Sequence, residues 1–92
     1  MRIWGKLWKE NHLIRDTVAE LPGSGTRTEK VIEGLHQICA ALDLAEPIWL
    51  DVNIRDFQRV GKTRFRQDSF VEAIPFDYLE FQVIEEDSWM PA

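Results

Sequence analysis

Apolar and polar residues alternate at both ends of this chain, and apolar residues recur at helical spacing through its middle. Residues 2–9 and 12–21 read as two strands of a β-hairpin. Pairing Trp8 with Leu13 sets a regular register in which Leu7 faces Ile14 and Ile3 faces Val18. Those four residues, with Gly5 and Asp16, form one face. Trp4, Lys6, Trp8, Leu13, Arg15 and Thr17 form the other. A loop of two residues (Glu10-Asn11) or of four (Lys9 to His12) gives the same register. Glu-Asn is not the favoured Asn-Gly turn pair, so the longer loop is expected.

Leu21-Pro22-Gly23-Ser24-Gly25 punctuates the chain as a loop. A helix opens at Thr26, whose spacing to Glu29 fits a capping box. Val31, Leu35, Ile38 and Leu42, widened by Ile32 and Cys39, make the apolar stripe of a helix of about five turns, with Pro47 expected to end it. Ile48-Trp49-Leu50 is a buried strand or an extended connector. Asn53 can cap a second, shorter helix in which Ile54, Phe57 and Val60 share a face and Gly61 is the terminator. Lys62 to Arg66 fits a short strand, and Asp68 or Ser69 can cap one further turn through Ile74. From Asp77 to Glu86 alternation returns, with Leu79, Phe81 and Val83 on one face and Tyr78, Glu80, Gln82 and Ile84 on the other. The tail is expected to fray, apart from Trp89.

These elements predict an α+β fold in a single domain, residues 1–92, with 88–92 as the tail. An N-terminal β-hairpin and a C-terminal strand form a small antiparallel sheet packed on a long amphipathic helix and a short second helix. The expected inner face is Ile3, Leu7, Ile14, Val18, Leu79, Phe81 and Val83.

Composition supports a packed core. The hydrophobic fraction is 45% over 92 residues, and aromatic residues are spread along the chain. Cys39 is the only cysteine, which excludes an intrachain disulfide and suits a reducing compartment. The first residues interleave charge with apolar side chains, unlike a signal peptide, and no apolar run reaches the ~18 residues of a membrane span. A cytoplasmic location is expected. The net charge of −5 disfavours nucleic acid and anionic membranes. Its distribution is uneven: Arg55, Arg59, Lys62, Arg64 and Arg66 fall together, and seven acids and no base follow from Asp68 onward. Those five bases are the candidate anion contacts, although mutual neutralisation with the acidic segment is the simpler expectation.

Motifs for catalysis are wanting. Val60-Gly61-Lys62-Thr63 resembles the end of a phosphate-binding loop, but the required glycine five residues earlier is Asp56. Gly23-Ser24-Gly25-Thr26 precedes a helix N-terminus whose field Glu29 already uses. His36 and Cys39 are too few for a metal site, and Cys39 lies in the apolar stripe. No catalytic residue, no metal ligand and no cofactor is expected.

The outer hairpin face stands apart. Trp4, Trp8 and Leu13 surround Lys6 and Arg15, which the regular register places directly opposite each other, and opposed like charges need compensation. Glu80 supplies it if the C-terminal strand lies beside the first, and Tyr78 and Ile84 then extend the aromatic surface. Either residues 47–76 cover this face or it is a contact site. The segments RIWGKLWKENHLIRDT (2–17), PIWLD (47–51) and DYLEFQVIEED (77–87) resemble a small uncharacterised bacterial protein family, which implies a bacterial cytoplasmic protein and no mechanism. The expected function is a non-catalytic protein-interaction module, most economically a homodimer, acting through Trp4, Lys6, Trp8, Leu13, Arg15 and Tyr78. The alternative is a binder of single-stranded nucleic acid or another anionic ligand through Trp4, Trp8 and the basic 55–66 segment.

Overall fold

The computed structural model describes residues 1–87, so the expected tail with Trp89 lies outside the described residues. The order is β1 (Arg2–Lys9), β2 (His12–Glu20), α1 (Arg27–Leu42), α2 (Asp51–Val60), β3 (Lys62–Phe65), a 3-10 turn (Gln67–Ser69) and β4 (Tyr78–Glu85). The strands form one antiparallel sheet in the order β2-β1-β4-β3. The α+β architecture is the one the hydrophobic pattern predicts.

Both helices lie on one face of that sheet. Their floor is Ile3, Leu7, Phe65, Leu79 and Phe81, all buried. Helix α1 supplies Val31, Leu35, Ile38, Cys39 and Leu42. It starts as the sequence predicts: Glu29 N–H donates to Thr26 Oγ1 at 3.1 Å, and Thr26 N–H donates to Glu29 Oε1 at 3.2 Å. It stops earlier than Pro47. Asp43 turns left-handed at φ 57°, and Leu44 N–H reaches back to the Cys39 carbonyl at 2.8 Å. Two glycines set the closeness of α1 to the sheet. A Cβ on Gly5 would run into the Ile38 side chain, and one on Gly34 would stand 2.7 Å from Ile3 Cδ1.

Helix α2 differs from its predicted form at its start. Asn53 is inside the helix, not its cap, and is buried. Its Oδ1 accepts from Leu50 N–H and from Ser69 Oγ, while its Nδ2 donates to Thr63 Oγ1 and to the Arg64 carbonyl. A buried amide with four partners ties α2, β3 and the 3-10 turn together. That turn spans Gln67–Ser69, and the turn expected to be capped by Asp68 or Ser69 and to run through Ile74 does not form. Gly61 ends α2 at φ 66°, as expected. Ile48-Trp49-Leu50 is the extended connector, and Trp49 sits edge-on to Phe57, Phe65 and Phe81 at 5.5, 4.9 and 6.0 Å. Ile32, Ile54 and Val60 are exposed instead of buried. Ile32 and Ile54 line a shallow groove between the helices, which meet the sheet side by side.

The hairpin carries the main correction. Its loop is the two-residue one: Glu10 (φ 51°) and Asn11 (φ 64°) are both left-handed, and Lys9 pairs with His12. Trp8 faces Leu13 as expected, but Leu7 faces Arg15, so Ile14 is an extra residue in β2. From that bulge onward every β2 side chain changes sides. Ala19, Thr17 and Arg15, not Val18, Asp16 and Ile14, stand opposite Ile3, Gly5 and Leu7 on the helix side, and Val18 and Ile14 are exposed.

Candidate interaction face

The bulge determines what the open face of the sheet carries. Asp16, not Arg15, lies opposite Lys6; Lys6 lies opposite Glu80; and Glu80 lies opposite Arg64. A row of alternating charge thus crosses all four strands. Lys6 Nζ is 2.9 Å from Glu80 Oε1, and Arg64 Nε is 3.1 Å from Glu80 Oε2. Lys6 also donates to Gln82 Oε1 at 3.3 Å. Lys6 and Glu80 are only 8% and 5% exposed. Burial pushes the Glu80 carboxyl up, but the hydrogen bonds from Lys6 and Arg64 outweigh it and hold the group below the ordinary carboxylate range.

Aromatic residues flank this row. Trp4, one step along β1, donates from Nε1 to Asp16 at 2.9 Å and carries Lys6 Nζ 4.0 Å above its ring. On the other side Leu13, Trp8 and Tyr78 lie abreast, and Arg64 and Arg66 stand 4.8 and 5.0 Å over the Tyr78 ring. Trp8 Nε1 is buried without a partner among the described residues. Leu13 and Val18 remain 42% and 38% exposed. Residues 47–76 do not cover this side. Trp49 and Phe57 meet Phe81 on the helix side, and Phe70 and Phe76 join the same core.

Five of the six residues assigned to the interaction face are therefore on it: Trp4, Lys6, Trp8, Leu13 and Tyr78. Arg15 is not. Its guanidinium donates to the Leu42 and Ala41 carbonyls at 3.1 and 3.4 Å, at the C-terminal end of α1 where a cation is favoured. Asp16 and Val18, expected on the helix side, also belong to the face, as does Gln82, which the alternation of β4 already puts beside Tyr78 and Glu80. Only the bulge could have revealed the first two, and no residue in His12–Glu20 announces it.

The basic segment divides. Arg64 joins the charge row, and Arg66 stacks on Tyr78. Arg55 and Arg59 belong to α2 on the other side of the sheet. Arg59, Lys62, Arg64 and Arg66 line a cleft of about 350 Å³ between α2 and β3, together with Asp56 and Asp68. Cys39 is buried in the core, and burial followed by the nearby Glu46 charge pushes its thiol up to about 12. Among the described residues no three His, Cys, Asp or Glu side chains are grouped to hold a metal, and no helix is long and apolar enough to cross a membrane. Comparison of the chain with protein-family models, with curated proteins and with solved structures found no match in any of the three.

Proposed function

We propose that the protein is a non-catalytic interaction module that associates with a second copy of itself through the open face of its sheet. The observation that supports this is the order of charge across that face: Asp16, Lys6, Glu80, Arg64. A row of four alternating charges with opposite ends is complementary to its own reverse. A two-fold axis parallel to the strands, between β1 and β4, sets Asp16 against Arg64 of the second copy and Lys6 against Glu80. The same operation sets Trp8 against Tyr78, with Leu13 and Val18 shielded at the rim.

Three strands of eight or nine residues and the shorter β3, at ~4.8 Å spacing, offer somewhat under ~500 Å² per copy, the range of weak, transient association. A nucleic-acid binder would need the indole and phenol rings as stacking platforms. Here Lys6 already occupies Trp4, and Arg64 and Arg66 occupy Tyr78. The setting that fits this reading is the bacterial cytoplasm, given one buried thiol and the family resemblance of the three segments.

Sedimentation of the wild type and of Trp8→Ser with Leu13→Ser tests the reading. Association between about 10 and 100 µM, abolished in a folded double variant, is expected. A wild type that stays monomeric at ~1 mM rejects the homodimer.

A further inference from the structure

The disposition of the bases points to a second site. The chain has eleven Lys and Arg residues against sixteen acids, so carboxylates are plentiful. Arg2, Lys6, Arg27, Lys30 and Arg64 each pair with one, and Arg15 caps α1. Among the described residues, Lys9, Arg55, Arg59, Lys62 and Arg66 meet no carboxylate at ion-pair distance. Four of these five come together on α2 and along β3, and three of them line the same cleft. In an acidic chain the lining of this cleft is the reverse of the whole, with Arg59, Lys62, Arg64 and Arg66 against Asp56 and Asp68.

We propose that the cleft between α2 and β3 binds a phosphomonoester. Arginine forks match a phosphate geometrically, and Arg59 and Arg66 with Lys62 supply donors from both walls. Asn53 holds those walls in place, because its buried amide bonds both Thr63 and the Arg64 carbonyl. Asp56 and Asp68 also line the cleft and narrow the ligand class. They repel a second phosphate and accept hydrogen bonds from hydroxyl or ammonium groups. The ligand is therefore a single dianion next to donor groups, not a polyanionic strand. The cleft shares Arg64 and Arg66 with the open face of the sheet, but Arg59 on α2 belongs to the cleft alone, so the Arg59 variant separates the two readings.

The test is titration, by calorimetry at fixed ionic strength, with free phosphoserine, with a phosphoserine peptide and with a single-stranded oligonucleotide lacking a terminal phosphate. Saturable phosphoserine binding is expected, weakened about tenfold by Arg59→Gln and again by Lys62→Gln, with the dimer unchanged in Arg59→Gln. Equal affinity for free phosphoserine and the peptide assigns the site to a small molecule; tighter binding of the peptide assigns it to a modified protein. No saturation, full binding by both folded variants, or tighter binding of the oligonucleotide overturns the proposal.

Discussion

Arg15 stands across from Leu7 on the helix side of the sheet, and its guanidinium closes the C-terminal end of α1. One inserted residue, Ile14, produces this arrangement. It sends Arg15 inward to free helix carbonyls and Asp16 outward to Lys6 and the Trp4 indole. The bulge thereby removes an opposed pair of cations and creates an alternating row.

A chain lacking Ile14 should keep this register, because residues 13 and 15 would then alternate without the extra position. The cost should be about 1 kcal/mol or less, with Trp4 still opposite Val18 by cross-strand nuclear Overhauser contacts. Loss of the fold, or exchange of the two β2 faces, would show that the bulge itself fixes the pairing.

The same residue marks how far the sequence could be followed. Strand β4 and helix α1 are legible because each carries one unbroken period: Leu79, Phe81 and Val83 inward, and Val31, Leu35, Ile38 and Leu42 along a stripe. Strand β2 has an apolar residue at 13, 14, 18 and 19, so two faces compete and local pattern cannot choose. The choice is made by α1, whose bare carbonyls take Arg15. Asn53 was misplaced for a related reason. Capping chemistry is local, whereas its partners Thr63 and Ser69 are supplied by the tertiary fold. Five face residues were found because Trp4, Lys6, Trp8 and Tyr78 belong to regular strands, and Leu13 precedes the bulge.

Replacing Lys6 by Met should destabilise the fold by about 3 kcal/mol in urea titrations, since Glu80 keeps only Arg64. Glu80→Leu should cost at least as much, because it strands Lys6 on a nearly covered site. The pair also gives stability an acid limit. The carboxyl titrates below its unfolded value of ~4.3, so its contribution is complete above about pH 4.3 and disappears as pH falls through the lowered folded value. Glu80→Gln should lower stability at pH 7 and flatten its decline as pH falls below about 4.3. An unchanged acid limb in this variant would mean that other carboxylates govern acid unfolding.

Cys39 should behave as a core residue. A thiol pushed up to about 12 carries almost no thiolate at neutral pH, so a bulky aromatic disulfide should modify it only through unfolding. Cys39→Ser should cost ~1–2 kcal/mol by burying a hydroxyl, with sheet-face association unchanged. Rapid labelling of the native protein would contradict this placement.

The order β2-β1-β4-β3 puts the most distant parts of the chain side by side at the sheet's centre. β1 with β2, and α2 with β3, are neighbours in sequence, whereas Lys6 and Gln82, joined across the β1–β4 seam, are 76 positions apart. Closing that seam carries the largest loop entropy in the sheet, so the two halves have reason to form first and find each other last. Two preformed apolar edges could then meet out of step. A slip by one residue would bring Lys6 against Leu79 or Phe81 and leave two ions unpaired on the way to the core. The buried pair thus works as a key for alignment: it rejects the wrong meeting of the halves more strongly than it rewards the right one.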